Sequence, residues 1–271
     1  MKKQLTGAAL IVMVCMTGAS AMMFGTDITL YDREVGSVAG WYNRGSGPGE
    51  DEEVEIGMET GQEWDMEAFR LDGPALTVVG GINFDDSRTV GSDAEAGDVF
   101  IDVNGDVVFG PPADDSGYRN SSRENVFGYD YVIDLDFASD SYSVYALDAS
   151  DNLLTVRYGM NEESNPWQYD SGGELLAGYV GVPLVTSGLL PTVDGLVGDR
   201  HYAFTVNLDF LEPGTEFTSH FTMRCGNDNL MGRARLGGSA TPRIAPDAGH
   251  TVALLGLGMV ATGLLRRLRR P

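Results

Sequence analysis

The stretch His201–Phe210, HYAFTVNLDF, decides the fold class, because Tyr202, Phe204, Val206, Leu208 and Phe210 fall on every second position. Successive side chains of a strand point to opposite faces, so this run presents one apolar face to a core. Glu212–Thr215 then supplies a Pro-Gly turn, and EFTSHFTM (Glu216–Met223) gathers Phe217, Phe221 and Met223 on one side. The two runs are expected to pair as a hairpin.

The same alternation recurs upstream. In Tyr129–Phe137, YDYVIDLDF, Tyr129, Tyr131, Ile133, Leu135 and Phe137 share a face, and SYSVYAL (Ser141–Leu147) returns after a turn at Ala138–Ser141. DNLLTVRYG (Asp151–Gly159) is expected to continue this pair as a meander. Shorter runs, EEVEIG (Glu52–Gly57), LTVVGGINF (Leu76–Phe84) and DVFIDV (Asp98–Val103), are separated by Gly and Asp. Many short strands without a strand-helix-strand rhythm predict an all-β body, an antiparallel β-sandwich of jelly-roll-like form. The body spans 22–236, one domain long enough for a sizeable core. RGSGPGEDEEVEIG (Arg44–Gly57) reads as an acidic loop leading into a strand, and 237–244 as a Gly-, Ser- and Pro-containing linker.

The termini differ from the body. Residues 1–21 carry Lys2 and Lys3, an apolar core from Ala8 to Met16, and small residues at Ala19 and Ala21. That order is a secretory signal peptide, which predicts a helix here and Met22 as the mature start; the alternative is a short buried helix. Both lysines and Cys15 lie in this leader, so Cys225 is the single cysteine of the mature chain and an intramolecular disulfide is impossible. From Met22 to Arg243 there are 12 basic and 39 acidic residues, a formal charge of −27. Nucleic acid and anionic membrane surfaces fit such a body poorly, whereas divalent cations fit well.

At the other end, Thr251–Leu265 is uncharged, and Arg266, Arg267, Arg269 and Arg270 follow it. As a helix it would reach about 22 Å, short of the roughly 30 Å hydrocarbon core. Flanking residues, tilt or local thinning would close that gap, and the arginines would hold the end on the cytoplasmic side as a membrane stop. A helix packed on the body is the alternative. The order Pro246, Asp247, Ala248, Gly249, apolar stretch, arginine cluster resembles the VPDSG type of C-terminal sorting signal. That signal is a relative of the PEP-CTERM signal recognised by exosortases in Gram-negative bacteria that make exopolysaccharide. Ala245 stands where valine is usual and Ala248 where serine is common. The resemblance implies that 245–271 is a temporary membrane hold, cut near Pro246–Gly249, after which the body is released or attached at the surface. Segments of the body, among them Gly97–Asp106, Phe127–Phe137, Gly181–Val185, His201–Phe217 and His220–Gly232, also resemble exosortase-dependent surface proteins, which implies an all-β sandwich and no established enzymatic activity.

Within the body the strongest chemical constellation is GDVFIDVNGDVVFG (Gly97–Gly110). Asp102, Asn104 and Asp106 alternate around Gly105, with Asp98 nearby, which resembles the first half of a calcium loop. The twelfth position of such a loop, where a glutamate is needed, is Ala113. The alternative is a hairpin corner at Asn104–Gly105 between FIDV and DVVF, with solvated carboxylates. Other acidic sets, Asp85 with Asp86, Asp114 with Asp115, and Asp130, Asp134 and Asp136, could supply ligands or glycosidase carboxylates, although 39 acids must fall near one another somewhere. His201 and His220 lie in predicted strands and His250 in the tail; Cys225 is either a thiol poised near His220 or a small buried side chain. Trp41, Tyr42 and Trp64 are weaker aromatic candidates, while Trp167 and Tyr169 in NPWQYD are candidate glycan contacts. No glycine pattern of a phosphate-binding loop occurs.

Two functions remain open from the residues. One is an exported, noncatalytic surface or matrix protein, processed by signal peptidase and an exosortase and associated with extracellular polysaccharide, with calcium bridging as a possible device. The other is a secreted glycan-active enzyme on a jelly-roll scaffold.

Overall fold

A computed structural model describes residues 24–30, 65–84, 95–107, 120–158, 164–196, 198–226 and 228–237. The expected leader at 1–21, the expected sorting tail at 245–271, most of the expected linker, the run EEVEIG, Trp41, Tyr42, Trp64, His250 and the pairs Asp85–Asp86 and Asp114–Asp115 lie outside the described residues. Those residues contain no α-helix, and every strand pairing is antiparallel.

Among the described residues the strands form three sheets. β1 (Thr26–Asp27), β2 (Met66–Asp72), β3 (Ala75–Gly80), β13 (Tyr202–Asn207) and β12 (Val185–Thr186) make the first, in that order. The second runs β10 (Glu174–Leu175), β7 (Ser141–Ala146), β6 (Tyr131–Asp136), β4 (Val99–Asp102), β14 (Glu216–Thr222) and β15 (Asn229–Arg235), with β11 (Val182–Pro183) also on β7. A small third sheet contains β5 (Ser122–Glu124), β8 (Asn152–Leu154) and β9 (Gln168–Ser171).

The first two sheets face each other across the main core. Phe69, Val78, Phe204 and Val206 of the first sheet meet Ile101, Ile133, Val144 and Phe221 of the second in one buried cluster. Phe84 stands at its centre, 4.8 Å from the ring of Phe204 and 6.1 Å from that of Phe221. Burying one such ring contributes roughly 1.5–3 kcal/mol, and each edge-to-face pair about 0.5–1.5 kcal/mol more.

The expected hairpin between β13 and β14 does not form. β13 pairs with β3 and β12, whereas β14 pairs with β15 and β4 in the opposite sheet. The Glu212–Thr215 turn is present, with Thr215 N bonded to Glu212 O and Gly214 at φ +90°, but it closes an arch over the core. Leu208 and Leu211 are buried in that arch. The physical reason is that Phe204 and Phe221, 5.3 Å apart, fill one core better from opposite walls than side by side on one wall.

Because β3 and β13 are antiparallel, the two crossovers, β3 to β4 and β13 to β14, leave the first sheet at opposite ends.

The β6–β7 hairpin is as the sequence implies, but the meander stops there. β8 joins β5 and β9 instead and lays the third sheet over the outer face of the second. A second cluster of Phe100, Phe127, Tyr129, Val132 and Leu153 fills that interval. β6 is therefore buried on both faces at its centre, Ile133 and Leu135 inward and Val132 outward, and Tyr129 belongs to the outer cluster rather than the main core. The alternative hairpin from FIDV to DVVF is also excluded, since β4 already has β6 on one side and β14 on the other.

Candidate functional site

The acidic turn follows directly from β4. Asp102 Oδ1 accepts from Asn104 N at 3.1 Å and Gly105 N at 2.8 Å, and Asn104 Oδ1 accepts from Asp106 N at 2.9 Å. Gly105 lies at φ +81°, a conformation that a side chain would strain. Asp130, at the entry to β6, locks the turn from the side: its Oδ2 accepts from Val103 N at 2.7 Å, and its Oδ1 from Asn104 Nδ2 at 3.0 Å. Burial pushes the Asp102 carboxyl above the usual carboxylate range; the charges of Asp130 and Asp106 add to this, and the two backbone bonds oppose it.

Asp98 is not part of this turn. It is buried, with Oδ1 accepting from Leu135 N and Oδ2 from Tyr169 N, both at 2.8 Å, and so ties the second sheet to the third. Among the described residues no group of three or more His, Cys, Asp or Glu side chains is gathered as a metal site. Asp102, Asn104 and Asp106 thus come together with Asp130 rather than Asp98, in a turn whose polar atoms largely bond one another.

The two aromatic candidates part in the same way. Trp167 is only 2% exposed and lies beneath Arg224, whose guanidinium carbon is 5.8 Å from the ring centroid. It is a packed residue, a correction to its reading as an open glycan platform: its own backbone bonds Leu154 and Asp98 and draws the ring inward. Tyr169 stays half-buried and stacks on Tyr145 at 4.6 Å, with its hydroxyl donating to the Gly172 carbonyl. Burial, followed by neighbouring Tyr145, Asp134, Asp151 and Asp170, pushes its phenol up to about 12.

His220 is sealed inside. Its Nε2 donates to Pro166 O at 2.7 Å, Nδ1 lies 3.3 Å from Met231 Sδ, and the ring stacks on Tyr129 at 5.6 Å. Burial drives its pKa down to about 4, against the weaker upward pull of its bonds to Pro166, Asn229 and Ser164. Such an imidazole is neutral near pH 7 and committed to packing. Cys225, in no disulfide and half-buried, packs against the main core.

The sequence reading missed a buried acid–imidazole pair. Glu67 and His201, both 0% exposed, meet with His201 Nδ1 2.7 Å from one Glu67 oxygen and 2.8 Å from the other. Arg70, 1% exposed, stands farther along the same outer face of the first sheet and donates to Asp194 O at 2.7 Å. Between them Ala68, Val79 and Ala203 pack under Val193. The segment 187–196 covers this row, pinned by the Leu190–His201 backbone bridge and by Arg70. The pair is hydrogen-bonded and covered, and a substrate would reach it only if that segment moved.

No family model matches the chain, and no curated protein or solved structure matches it.

Proposed function

We propose that the protein is an exported, noncatalytic cell-surface or matrix protein, processed by signal peptidase and an exosortase and associated with extracellular polysaccharide. The observation that carries this reading is the combination of the leader at 1–21 with the tail Pro246–Gly249, Thr251–Leu265 and Arg266–Arg270. Each part has a physical role: the leader engages the export machinery, the apolar stretch halts in the bilayer, and the arginines resist translocation. Pro246, Asp247 and Gly249 mark the cleavage region. The all-β body favours the same reading, because an exported chain with one cysteine must take its stability from burial and backbone pairing.

The test is mass spectrometry of the protein recovered from the cell surface and medium. The expected species begins at Met22 and ends between Pro246 and Gly249, and loss of the host exosortase leaves an uncut chain in the inner membrane. An uncut chain in the cytoplasm of the normal host overturns the reading. Retention on the host's own polysaccharide, without release of reducing ends, tests association and the absence of cleavage together.

A further inference from the structure

One ribbon of the body breaks its charge pattern. Leu175–Val193 contains no charged residue, the longest uncharged run between Met22 and Arg243, where acids outnumber bases 39 to 12. The ribbon is also exposed. Val180 is 62%, Val185 64%, Leu189 57% and Leu175 42% exposed, four of the six large exposed apolar residues among the described residues.

Its position in the fold is equally particular. β10 and β11 border the second sheet on β7, and β12 borders the first sheet on β13, so one continuous segment forms the outer edge of both sheets. The opposite side of the sandwich is closed, since Ile28–Leu30 passes from β2 to β15 through the Thr29–Gly232 bridge and the bonds Ile28 N to Phe69 O and Leu30 N to Met231 O. Exposed apolar residues clustered on one edge mark an interaction surface rather than scattered chance exposure.

We propose that this ribbon is a self-association surface, on which a second copy of the chain docks through the faces of Val180, Val185 and Leu189. Charge selects the occupant. Two bodies of formal charge −27 repel wherever their acids meet, and the ribbon is the longest run among the described residues that itself brings no acid to such a contact, with Asp209 beside Tyr179 at its margin. Eleven of its 19 residues are exposed, about half the roughly 20–30 residues a side of a standard interface, which fits a weak, salt-dependent contact rather than a permanent one. The short strands β10, β11 and β12, with Pro183 in β11 and Pro191 beyond β12, oppose open-ended strand addition and favour a closed, isologous contact made by side chains. The inference is independent of how the protein is sorted.

Sedimentation velocity of the purified full chain tests it, in one mild detergent and with reductant, so that neither the tail nor Cys225 differs between variants. The wild type is expected to form dimers whose dissociation constant falls by on the order of tenfold between low and high salt, as screening relieves body–body repulsion. Val185→Asp and Val180→Asp, at positions too exposed to disturb folding, should each weaken the dimer by at least about tenfold, since each would bring two like charges into a drying contact. Unchanged circular dichroism checks that these variants fold. A wild type that stays monomeric at every salt concentration overturns the proposal, as does a dimer that both variants leave unchanged.

Discussion

His220 makes the stability of this protein sensitive to mild acid in a way that can be worked through. The ring is fully buried, and its pKa stands at about 4 in the folded state against an ordinary 6.5. Between those values the unfolded chain binds a proton that the folded chain refuses. Stability is therefore fully present above pH 6.5 and is lost as the pH falls toward 4. A difference of about 2.5 units at about 1.36 kcal/mol each makes the loss about 3 kcal/mol, a large share of the 5–15 kcal/mol typical of a domain. Many carboxylates also titrate in acid, so the readout is a difference between two proteins. Urea unfolding of the wild type and His220→Gln at pH 7, 6, 5 and 4.5 gives two curves. Gln keeps a donor for Pro166 O but cannot take up the proton. The variant is expected to be less stable at pH 7 and to lose ground more slowly below pH 6.5, so that the gap narrows by about 2 kcal/mol by pH 5. Curves that stay parallel from pH 7 to 4.5 refute the reasoning and mean that His220 titrates normally.

Three further substitutions probe other parts of the frame. Gly97→Ala would drive its new methyl group into the carbonyls of Trp167 and Thr222, both backbone atoms, so the chain should fail to fold or lose several kcal/mol in urea titration. Glu67→Gln replaces both carboxylate oxygens facing His201 Nδ1 by a single amide oxygen in a fully buried site, and thermal unfolding should show a loss of about 1–3 kcal/mol, beyond that of an exposed acid replaced alike. Asp98→Asn leaves one oxygen for two backbone donors and turns an amide toward one of them; a loss of about 1–3 kcal/mol is expected, with amide exchange accelerated first at Tyr169 and Leu135.

What alternation can report is the face of a strand, and here it did so for β6, β13 and β14. It cannot report which sheet a strand joins, because Phe204 and Phe221 satisfy the same core whether their strands are neighbours or opposite walls. The third sheet escaped for a related reason. Val132 and Phe100 sit on faces that look like the solvent side of a two-layer sandwich, and their apolar character was the available sign that another layer covers them. Glu67 was hidden by a bulge. In MEAFRLD strict alternation groups Glu67 with Phe69 and Leu71, toward the main core, but the register shift between Met66 and Ala68 reverses the parity. Met66 and Phe69 then face inward while Glu67 turns outward to His201. In the acidic turn, the spacing of Asp102, Asn104 and Asp106 was legible, while the role of Asp130, 26 residues from Asn104, depended on tertiary structure.

The strong acidity of the body is partly architectural. Asp98 fastens the second sheet to the third, Asp151 takes the amides of Asp148 and Gly173, Asp228 takes that of Met66, and Asp102 takes two amides of its own turn. All four aspartates are buried. A carboxylate that accepts backbone N–H groups from distant segments does part of the work of a cross-link, with each bond to a charged group contributing about 1.5–3 kcal/mol. With Cys225 the single cysteine between Met22 and Arg243, that explains why these acids lie inside rather than on the surface. It also means that counting acids overstates the charge available for binding cations. The ribbon Leu175–Val193 is the converse case, exposed surface from which charge is missing, and the two together argue that charge placement here is set by segment-to-segment contacts within the chain and between copies of it.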